Sequence, residues 1–448
     1  MNVSTAGYSR PRHPSSGKRA QRSLAVLVAI ALPVAGLGSP ALARESTQEL
    51  DEVEQLEVLY SSRHFFALSE RVDAMAETSS TDPRIGFYRA AVHAAFNRSI
   101  ESNEVIRALR DRADLDVGLH ARLLRMELEN DLRTTDYADA LATAKAILHL
   151  PEDPPTTASR AYAQRMLPLL NALEGTPRQS VDKNGFSRLA LGRTRRIPIE
   201  ISGKRNRFAL DTGANFSVIM HSEAEKLGLE IRPAGLRVAT STEKVVVADV
   251  AVAGEVVIGK VRYQNVVFLV LPDEDLSLAG RDRIAGLIGF PVVSAMQEIR
   301  FRRDDVLEIP QDPPKRTYRN LALNDLEPLV RARYSRDDIL CRLDTGAERS
   351  DFYEPFFRRY REKIEDAGKK VTTKRGGLGG YQEFAAYRLS RFVITVASLD
   401  VQLRNVDVLT QPIRQPPHNF LDCNLGRDVL EQFPAYVLNF RDMALILE

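Results

Sequence analysis

Phe208-Ala-Leu-Asp211-Thr212-Gly213-Ala214 is repeated further along the chain as Cys341-Arg-Leu-Asp344-Thr345-Gly346-Ala347. A single Asp-Thr-Gly often forms an ordinary turn, in which Asp bonds the backbone and Gly supplies a positive φ. Two copies, each entered from an apolar run, are much harder to obtain by chance. The pair therefore indicates an internal duplication, which decides the fold of this part of the chain.

Further signals flank the two copies in the same order. Leu189-Ala-Leu191 precedes the first copy and Leu321-Ala-Leu323 precedes the second. Downstream, Leu287-Ile288-Gly289 follows the first copy and Asn424-Leu425-Gly426 follows the second. This matching order supports duplication of a whole lobe rather than two unrelated turns.

The duplicated part of the chain is predicted to be β-rich. After Gly175-Thr-Pro177, short runs of Val, Ile and Phe alternate with turn residues, which is typical of strands. A Pro-rich joint at 310–315 separates a first lobe at 182–311 from a second lobe at 315–448.

Residues 44–175 are predicted to be all helical, since apolar positions recur every three and four residues. The stretches 87–96 and 103–112 form one predicted helical pair, and 120–132 and 137–148 form the next. This pairing resembles tetratricopeptide-type helical hairpins. The Trp, Gly and Pro markers of that repeat are missing, so a plain helical bundle is the alternative.

The N-terminus is typical of a secretory signal. Basic residues precede the apolar run Leu24–Leu32, and Ala41-Leu42-Ala43 ends the segment, which predicts a signal peptide at 1–43 with cleavage after Ala43. An uncleaved N-terminal anchor is the alternative. We therefore expect an exported protein, in the bacterial periplasm or cell envelope, with no stable membrane span after cleavage.

Composition excludes several classes of protein. The 448 residues include 62 Lys and Arg against 60 Asp and Glu, a net charge of +2 that leaves no broad basic surface for nucleic acid. With 44% hydrophobic and 27% charged residues, the chain is neither a disordered nor a multispanning membrane protein. The histidines lack the spacing of a metal site, and we expect no metal and no cofactor; they are His13, His64, His93, His120, His149, His221 and His418.

The two Asp-Thr-Gly runs with their apolar-Gly strands resemble the aspartic peptidases. Ala214 and Ala347 after the tripeptides, and the size of each lobe, are similar to the retroviral branch of that group. The resemblance implies a multidomain chain, in which the all-α helical-hairpin region precedes two all-β acid-protease lobes that together form one bilobal peptidase. It covers roughly residues 182–448 and does not extend to the helical region.

The second lobe is the closer match. Its glycine-rich run 375–381 is similar to the retroviral flap, which implies flap roles for Gly377, Gly379, Gly380 and Tyr381. A flexible Gly-rich loop is the alternative interpretation. In the first lobe, a hairpin at 240–247 is the matching candidate, although it lacks glycines.

Gly426-Arg427-Asp428 is similar to a segment whose Arg pairs with an acid just after the retroviral Asp-Thr-Gly-Ala. Glu348 occupies that place here, so the resemblance predicts a partly buried ion pair between Glu348 and Arg427. The first lobe carries Asn215 and Phe290 at the two positions, losing acid and base together.

Asp211 and Asp344 are the predicted catalytic residues. Two carboxylates in a poorly solvated cleft repel each other when both are charged, so the pair shares one proton and supplies an acid and a base together. Such a pair activates a water for attack on a peptide carbonyl without a covalent intermediate.

Besides Glu348 and Arg427, six further residues are predicted to support the two loops. The family implies that Thr212 and Thr345 hydrogen-bond across them. Glycine permits a tight loop and close approach of backbone N–H groups to the carboxylates, which we expect of Gly213 and Gly346. Gly289 and Gly426 are expected to let the strands behind the loops pack closely.

The cysteines Cys341 and Cys423 each lie three residues before a motif residue, Asp344 and Gly426. An oxidising compartment permits a disulfide between them, and two buried free thiols are the alternative.

The sequence as a whole predicts an exported aspartic endopeptidase that cleaves peptides or unfolded proteins. The helical region is expected to position substrates or a protein partner. The alternative is a non-catalytic peptide- or protein-binding module that keeps the peptidase fold, with the helical region as its interaction scaffold.

Overall fold

The computed structural model describes most of the chain beyond the N-terminus, namely residues 23–24, 28–30, 51–75, 81–192, 195–240, 245–278, 282–377, 380–412 and 420–448. The predicted cleavage site after Ala43 and the predicted flap residue Gly379 lie outside these ranges.

The described part of the N-terminal region contains seven helices: α1 (Glu52–Ser61), α2 (Phe65–Ala74), α3 (Pro83–Ala95), α4 (Ser99–Arg110), α5 (Val117–Arg133), α6 (Tyr137–His149) and α7 (Pro154–Ala172). Several begin at an Asp cap, as at Asp116, whose side chain accepts the Leu119 N–H at 2.9 Å. Helix α3 packs on α4 and α5 on α6, with the small residues Ala90 and Ala91 buried. The helical prediction is confirmed, whereas the tetratricopeptide assignment stays a prediction.

The first lobe is a nine-stranded sheet in the order β2-β8-β9-β5-β6-β13-β7-β10-β3, with shorter strands and two helices around it. Its elements are β3 (Ser180–Lys183), β4 (Ser187–Ala190), β5 (Arg196–Ile201), β6 (Lys204–Leu210), β7 (Ser217–Met220), α8 (His221–Leu227), β8 (Ile231–Thr240), β9 (Val245–Ile258), β10 (Val261–Leu271), β11 (Ser277–Leu278), β12 (Asp282–Arg283), β13 (Gly286–Ile288), α9 (Phe290–Ala295), β14 (Glu298–Arg302) and β15 (Val306–Ile309). The N-terminal strand β2 (Val28–Ile30) joins its edge.

The second lobe repeats this plan in the order β1-β20-β21-β22-β19-β23-β18-β17-β16. Its elements are β16 (Leu321–Asn324), β17 (Glu327–Tyr334), β18 (Asp337–Leu343), β19 (Asp351–Phe352), α10 (Glu354–Arg359), α11 (Arg361–Ala367), β20 (Lys369–Gly377), β21 (Gly380–Val396), β22 (Leu399–Leu409), β23 (Cys423–Leu425), α12 (Arg427–Leu430), β24 (Ala435–Asn439) and β25 (Ala444–Leu447). The N-terminal strand β1 (Ser23–Leu24) joins its edge.

Each lobe has an equivalent pair of strands next to its Asp-Thr-Gly loop. In the first, β6 runs into Asp211 and pairs in parallel with β13, with Leu210 opposite Ile288. In the second, β18 runs into Asp344 and pairs in parallel with β23, with Leu343 opposite Leu425. The predicted arrangement, a helical region followed by two related β lobes, is confirmed.

A third sheet joins the two lobes. Its strand order is β25-β24-β14-β15-β4, so β24 of the second lobe pairs directly with β14 of the first. Phe301 and Tyr436 stack across this seam with ring centroids 4.8 Å apart. The lobes are therefore held in one fixed relation by main-chain hydrogen bonds.

Among the described residues, no helix combines the length and the hydropathy that a membrane crossing requires.

The helical region is anchored to the second lobe by buried arginine. Arg133, at the end of α5, donates to the Ala94 carbonyl at 2.9 Å and to the Asp325 carbonyl at 2.7 Å. Arg63 Nε donates to Asn324 Oδ1 at 2.8 Å. The buried Arg133 and the partly buried Arg63 together hold the helices against the turn between β16 and β17.

Several buried carboxyl groups make stability depend on pH. Burial raises the pKa of Glu129, Asp131 and Glu327 to about 7. In the unfolded chain these groups titrate near about 4, so between about pH 4 and pH 7 the folded protein binds more protons. Stability is therefore lost as pH rises through that window. We expect the melting temperature to be about 5 °C higher at pH 6 than at pH 8 by scanning calorimetry.

Glu129→Gln provides the control for this dependence. Removing one titrating carboxyl should flatten the curve of melting temperature against pH, because Gln cannot ionise. A melting temperature that climbs from pH 6 to pH 8 would show that these carboxyl groups are not protonated in the folded chain.

Candidate active site

The two Asp-Thr-Gly loops meet at the centre of the molecule and hydrogen-bond to each other. The Thr212 N–H donates to Thr345 Oγ1, and the Thr345 N–H donates to Thr212 Oγ1, both at 3.1 Å. The hydroxyls then donate onward, Thr212 to the Leu343 carbonyl at 3.0 Å and Thr345 to the Leu210 carbonyl at 3.4 Å. This reciprocal set is buried and locks one loop to the other.

The carboxylates of Asp211 and Asp344 are buried where the two loops meet. Asp211 is 1% exposed and Asp344 is fully buried. Asp211 Oδ1 accepts the Gly213 N–H at 2.8 Å, while Asp344 Oδ1 accepts the N–H groups of Gly346 and Ala347 at 2.9 Å each. The loop backbone therefore fixes the orientation of each carboxylate.

Each carboxylate faces the loop of the other lobe. A Cβ placed on Gly346 would lie 2.6 Å from Asp211 Oδ2, and one placed on Gly213 would lie 3.0 Å from Asp344 Oδ1. Glycine is thus required in both loops, because a side chain on Gly346 would meet the Asp211 carboxylate, and one on Gly213 would meet first Arg342 Nη2 and then Asp344. The sequence-predicted residues Asp211, Gly213, Asp344 and Gly346 come together in one site.

Electrostatics keep a proton on the pair. Burial and the neighbouring Asp344 carboxylate raise the pKa of Asp211 well above its ordinary value, against the lowering effect of Arg342 and of the Gly213 amide. Asp211 Oδ2 receives no hydrogen bond from a donor group of the described residues. A proton on Asp211 that is shared with Asp344 satisfies this oxygen, and the pair then contains one acid and one base.

Two serines support the loops and were not predicted. The Gly289 N–H donates to Ser217 Oγ at 3.1 Å, and the Gly426 N–H donates to Ser350 Oγ at 3.0 Å. Ser217 and Ser350 stand at the same distance after their respective aspartates. That matching position was a usable sequence signal.

The predicted ion pair between Glu348 and Arg427 is wrong. Glu348 is exposed, and Arg427 Nη1 instead lies 3.5 Å from Oε1 of Glu431, the residue that caps the C-terminus of α12. The neighbouring residue, Asp428, supports the loop instead. Asp428 Oδ1 accepts hydrogen bonds from the Ser350 N–H at 2.9 Å and from the Ser350 hydroxyl at 2.6 Å. Gly426 and Arg427 still hold the loop through their backbone, and the Arg427 N–H donates to the Ala347 carbonyl at 2.9 Å.

Both candidate flaps are β-hairpins. Strands β20 and β21 pair up to Gly377 opposite Gly380, and Tyr381 is 47% exposed. In the first lobe, β8 and β9 pair up to Ala239 opposite Val245.

Cys341 and Cys423 form a disulfide, with Cα atoms 4.5 Å apart. They face each other in the parallel pairing of β18 and β23, the strands that lead to Asp344 and Gly426. Of the two alternatives for the cysteines, the structure has the bridge, which fastens the strand that leads to Asp344 to its neighbouring strand.

Gly346→Ala is expected to abolish site function with a modest effect on the fold. The new Cβ would displace the Asp211 carboxylate, which the Gly213 N–H holds in place. Gly254→Ala is the matched control, because no heavy atom lies within 4 Å of a Cβ at that position. Peptide hydrolysis should fall at least about 100-fold in the first variant and stay unchanged in the second. Full activity of Gly346→Ala would mean that the carboxylate does not lie against this loop.

Among the described residues, no group of three or more His, Cys, Asp or Glu side chains is placed to hold a metal ion.

Comparison with known proteins finds a family model that matches part of the first lobe. The aspartyl protease family model matches residues 197–292, which include Asp211 and Leu287-Ile288-Gly289. No curated protein matches the chain.

Two solved structures are among those that match. A retropepsin-like aspartic protease from Rickettsia conorii is 22% identical, covering 29% of this chain and 93% of its own, with a TM-score of 0.21. Basic 7S globulin from soybean is 9% identical, covering 58% of this chain and 93% of its own, with a TM-score of 0.31.

Proposed function

We propose that the chain is an aspartic endopeptidase whose single active site is formed by Asp211 and Asp344. The observation that carries this proposal is the reciprocal hydrogen bonding of Thr212 and Thr345, which fixes two buried carboxylates face to face. A structural turn needs neither a second copy nor a second carboxylate.

The chemistry follows from one proton shared by two carboxylates. The ionised member removes a proton from a water held between them, and the water oxygen attacks the peptide carbonyl. The protonated member donates a hydrogen bond to the carbonyl oxygen as negative charge develops there. Collapse of the tetrahedral intermediate then breaks the C–N bond. The leaving nitrogen takes up the proton that the base removed from the water.

The substrate is proposed to be an extended peptide or an unfolded protein. The flap strands β8 and β20 lie at sheet edges next to short segments of the chain's own N-terminus. Ser23–Leu24 pairs with Arg375–Gly376, and Val28–Ile30 pairs with residues 238–240. Both edges thus accept an added strand through main-chain hydrogen bonds, the mode in which extended peptides bind.

We further propose that the protein works outside the cytoplasm, in the periplasm or envelope. The signal-like N-terminus supports export, and the Cys341–Cys423 bridge suits an oxidising compartment. The helical region, held to the second lobe through Arg133, is proposed to present substrates or a partner protein to the lobes.

The test is cleavage of casein by the purified chain from pH 3 to pH 8, followed by mass spectrometry of the fragments. We expect internal cleavage that a pepstatin-type inhibitor blocks. Cleavage that a metal chelator or a serine-protease inhibitor blocks, with no effect of pepstatin, would assign the activity to a contaminant.

Burial of the pair favours a second candidate function, a peptide-binding module without turnover. Because Asp211 and Asp344 are shielded from solvent, a substrate reaches them only when the residues that cover them move. This candidate predicts saturable binding of a casein peptide by calorimetry, with the peptide recovered intact.

A further inference from the structure

The two lobes differ at two matched positions, one on each of the paired strands beside the carboxylates. In the first lobe, Ala209 on β6 lies opposite Leu287 on β13. In the second lobe, Arg342 on β18 lies opposite Asn424 on β23. Two apolar residues in one lobe are therefore replaced by a cation and an amide in the other, directly beside the carboxylate pair.

Arg342 is almost completely buried, at 3% exposure, and its guanidinium lies among polar groups of both lobes. Nε lies 2.7 Å from Glu327 Oε1, and Nη1 lies 3.6 Å from Asp344 Oδ2. Nη2 crosses to the first lobe and donates to the Gly213 carbonyl at 2.7 Å. The guanidinium therefore contacts both Asp-Thr-Gly loops and is held in place by Glu327.

The donors around the pair are unevenly distributed. Asp344 accepts two backbone N–H groups on Oδ1, and its Oδ2 faces Arg342 and accepts Asn424 Nδ2 at 3.3 Å. Asp211 accepts one backbone N–H on Oδ1. Hydrogen bonds and a cation stabilise the charged form of a carboxylate, so negative charge is favoured on Asp344.

We propose that Arg342 is a positioning residue that, with Asn424, fixes the negative charge on Asp344 and leaves the shared proton on Asp211. This inference rests on the proposed peptidase function. Asp344 then acts as the base toward the water, and Asp211 donates the hydrogen bond to the substrate carbonyl. Arg342 acts only through these two residues and through the loop at Gly213.

Other charged groups surround this network. Glu327 faces Arg342 from β17, and Asp325 lies in the turn before it. Arg375 on β20 acts on Asp344 from a distance while its Nη2 lies 2.8 Å from Asp351, and Tyr353 lies near Arg342. Burial raises the pKa of Glu327 to about 7, so at acid pH Glu327 is neutral and Arg342 is the nearest charge acting on the pair.

A cation beside the pair favours its ionised forms. Activity rises with pH on the acid side and falls on the alkaline side. The pH values of both changes should therefore be lower than they would be without Arg342. In the double variant Arg342→Met with Glu327→Gln, which removes the cation together with its buried partner, we expect the acid limb of kcat/KM to move up by about one pH unit. Arg342→Lys keeps the charge, so its acid limb should stay near that of the wild type even if kcat falls. An unchanged acid limb in the double variant would overturn the proposal.

A second measurement is independent of hydrolysis and of the folding of any Arg342 variant. Asn resembles a protonated carboxyl group, so Asp211→Asn should keep a melting temperature near that of the wild type at pH 6. Asp344→Asn leaves Arg342 without its charged partner, and we expect a melting temperature lower by about 5 °C or more. At pH 8, where Glu327 is ionised, the Glu327→Gln background should widen this difference, because no second carboxylate then remains beside Arg342.

A larger loss of stability from Asp211→Asn than from Asp344→Asn would place the charge on Asp211 and overturn the assignment. The two proposals fail in different ways. A wild-type chain that cleaves nothing would reject the peptidase function, while the order of the two melting temperatures would still report where the charge lies.

Discussion

Asp211→Asn and Asp344→Asn are each expected to lower kcat/KM for peptide hydrolysis by at least about 1000-fold. Either substitution leaves one carboxylate, which cannot supply an acid and a base together. The two residues lie on opposite lobes but share one proton, so one loss should be nearly as severe as the other. The measurement is the rate of cleavage of a fluorogenic peptide chosen from the casein fragments.

Asp366→Asn is the matched control for these variants, because Asp366 is exposed on α11. It should retain wild-type activity. The circular dichroism spectrum of each variant establishes that the fold is intact. Substantial activity in either active-site variant would reject the shared-proton mechanism.

Replacing both cysteines with serine is expected to reduce the free energy of unfolding by about 4 kcal/mol, because the bridge closes a long loop in the unfolded chain. The bridge spans a sequence separation of 82 residues. Cys341 and Cys423 are fully buried, so serine also places two hydroxyls in an apolar site. Denaturant unfolding measures the difference.

The loss of stability in this double variant should also shorten the time for which it stays active. The bridge fastens the strand that leads to Asp344 to the strand that leads to Gly426, so its loss should shorten the half-life of hydrolysis at 37 °C. A change in the free energy of unfolding below about 1 kcal/mol would show that strand pairing alone holds the loop.

The sequence predicted the parts of the site that depend on local pattern. Asp211 and Asp344 were recognisable because tight loops after apolar strands need Gly at one fixed place. The helices were recognisable because apolar residues recur at the helical period in α3 to α6. These features depend on residues that are close in the chain, and the duplication then implied that the loops meet.

The features that failed depend on tertiary contacts. Nothing local distinguishes Glu348, which points to solvent, from an acid that pairs with Arg427, since the direction of a side chain at the end of a tight loop is set by packing. Asp428 lies next to Arg427 and takes the bracing role through Ser350. The serine signal was available in both lobes, in contrast, because Ser217 and Ser350 occupy matching positions.

Arg342 was visible in the sequence as a cation two residues before Asp344. Its partner Glu327 lies on a different strand, and the Gly213 carbonyl belongs to the other lobe. A charged residue in an apolar run suggests a solvent-facing position unless its distant partners are known. Only the folded chain brings these three groups together.

The central claim is that both aspartates of one chain form one site. Mixing purified Asp211→Asn with purified Asp344→Asn tests it directly, with peptide hydrolysis measured over a wide range of protein concentration. If the site is intramolecular, every molecule in the mixture lacks one carboxylate, and the mixture should stay as inactive as each variant alone. Activity that appears on mixing and grows with concentration would mean that the site is assembled from two chains, and would contradict the account.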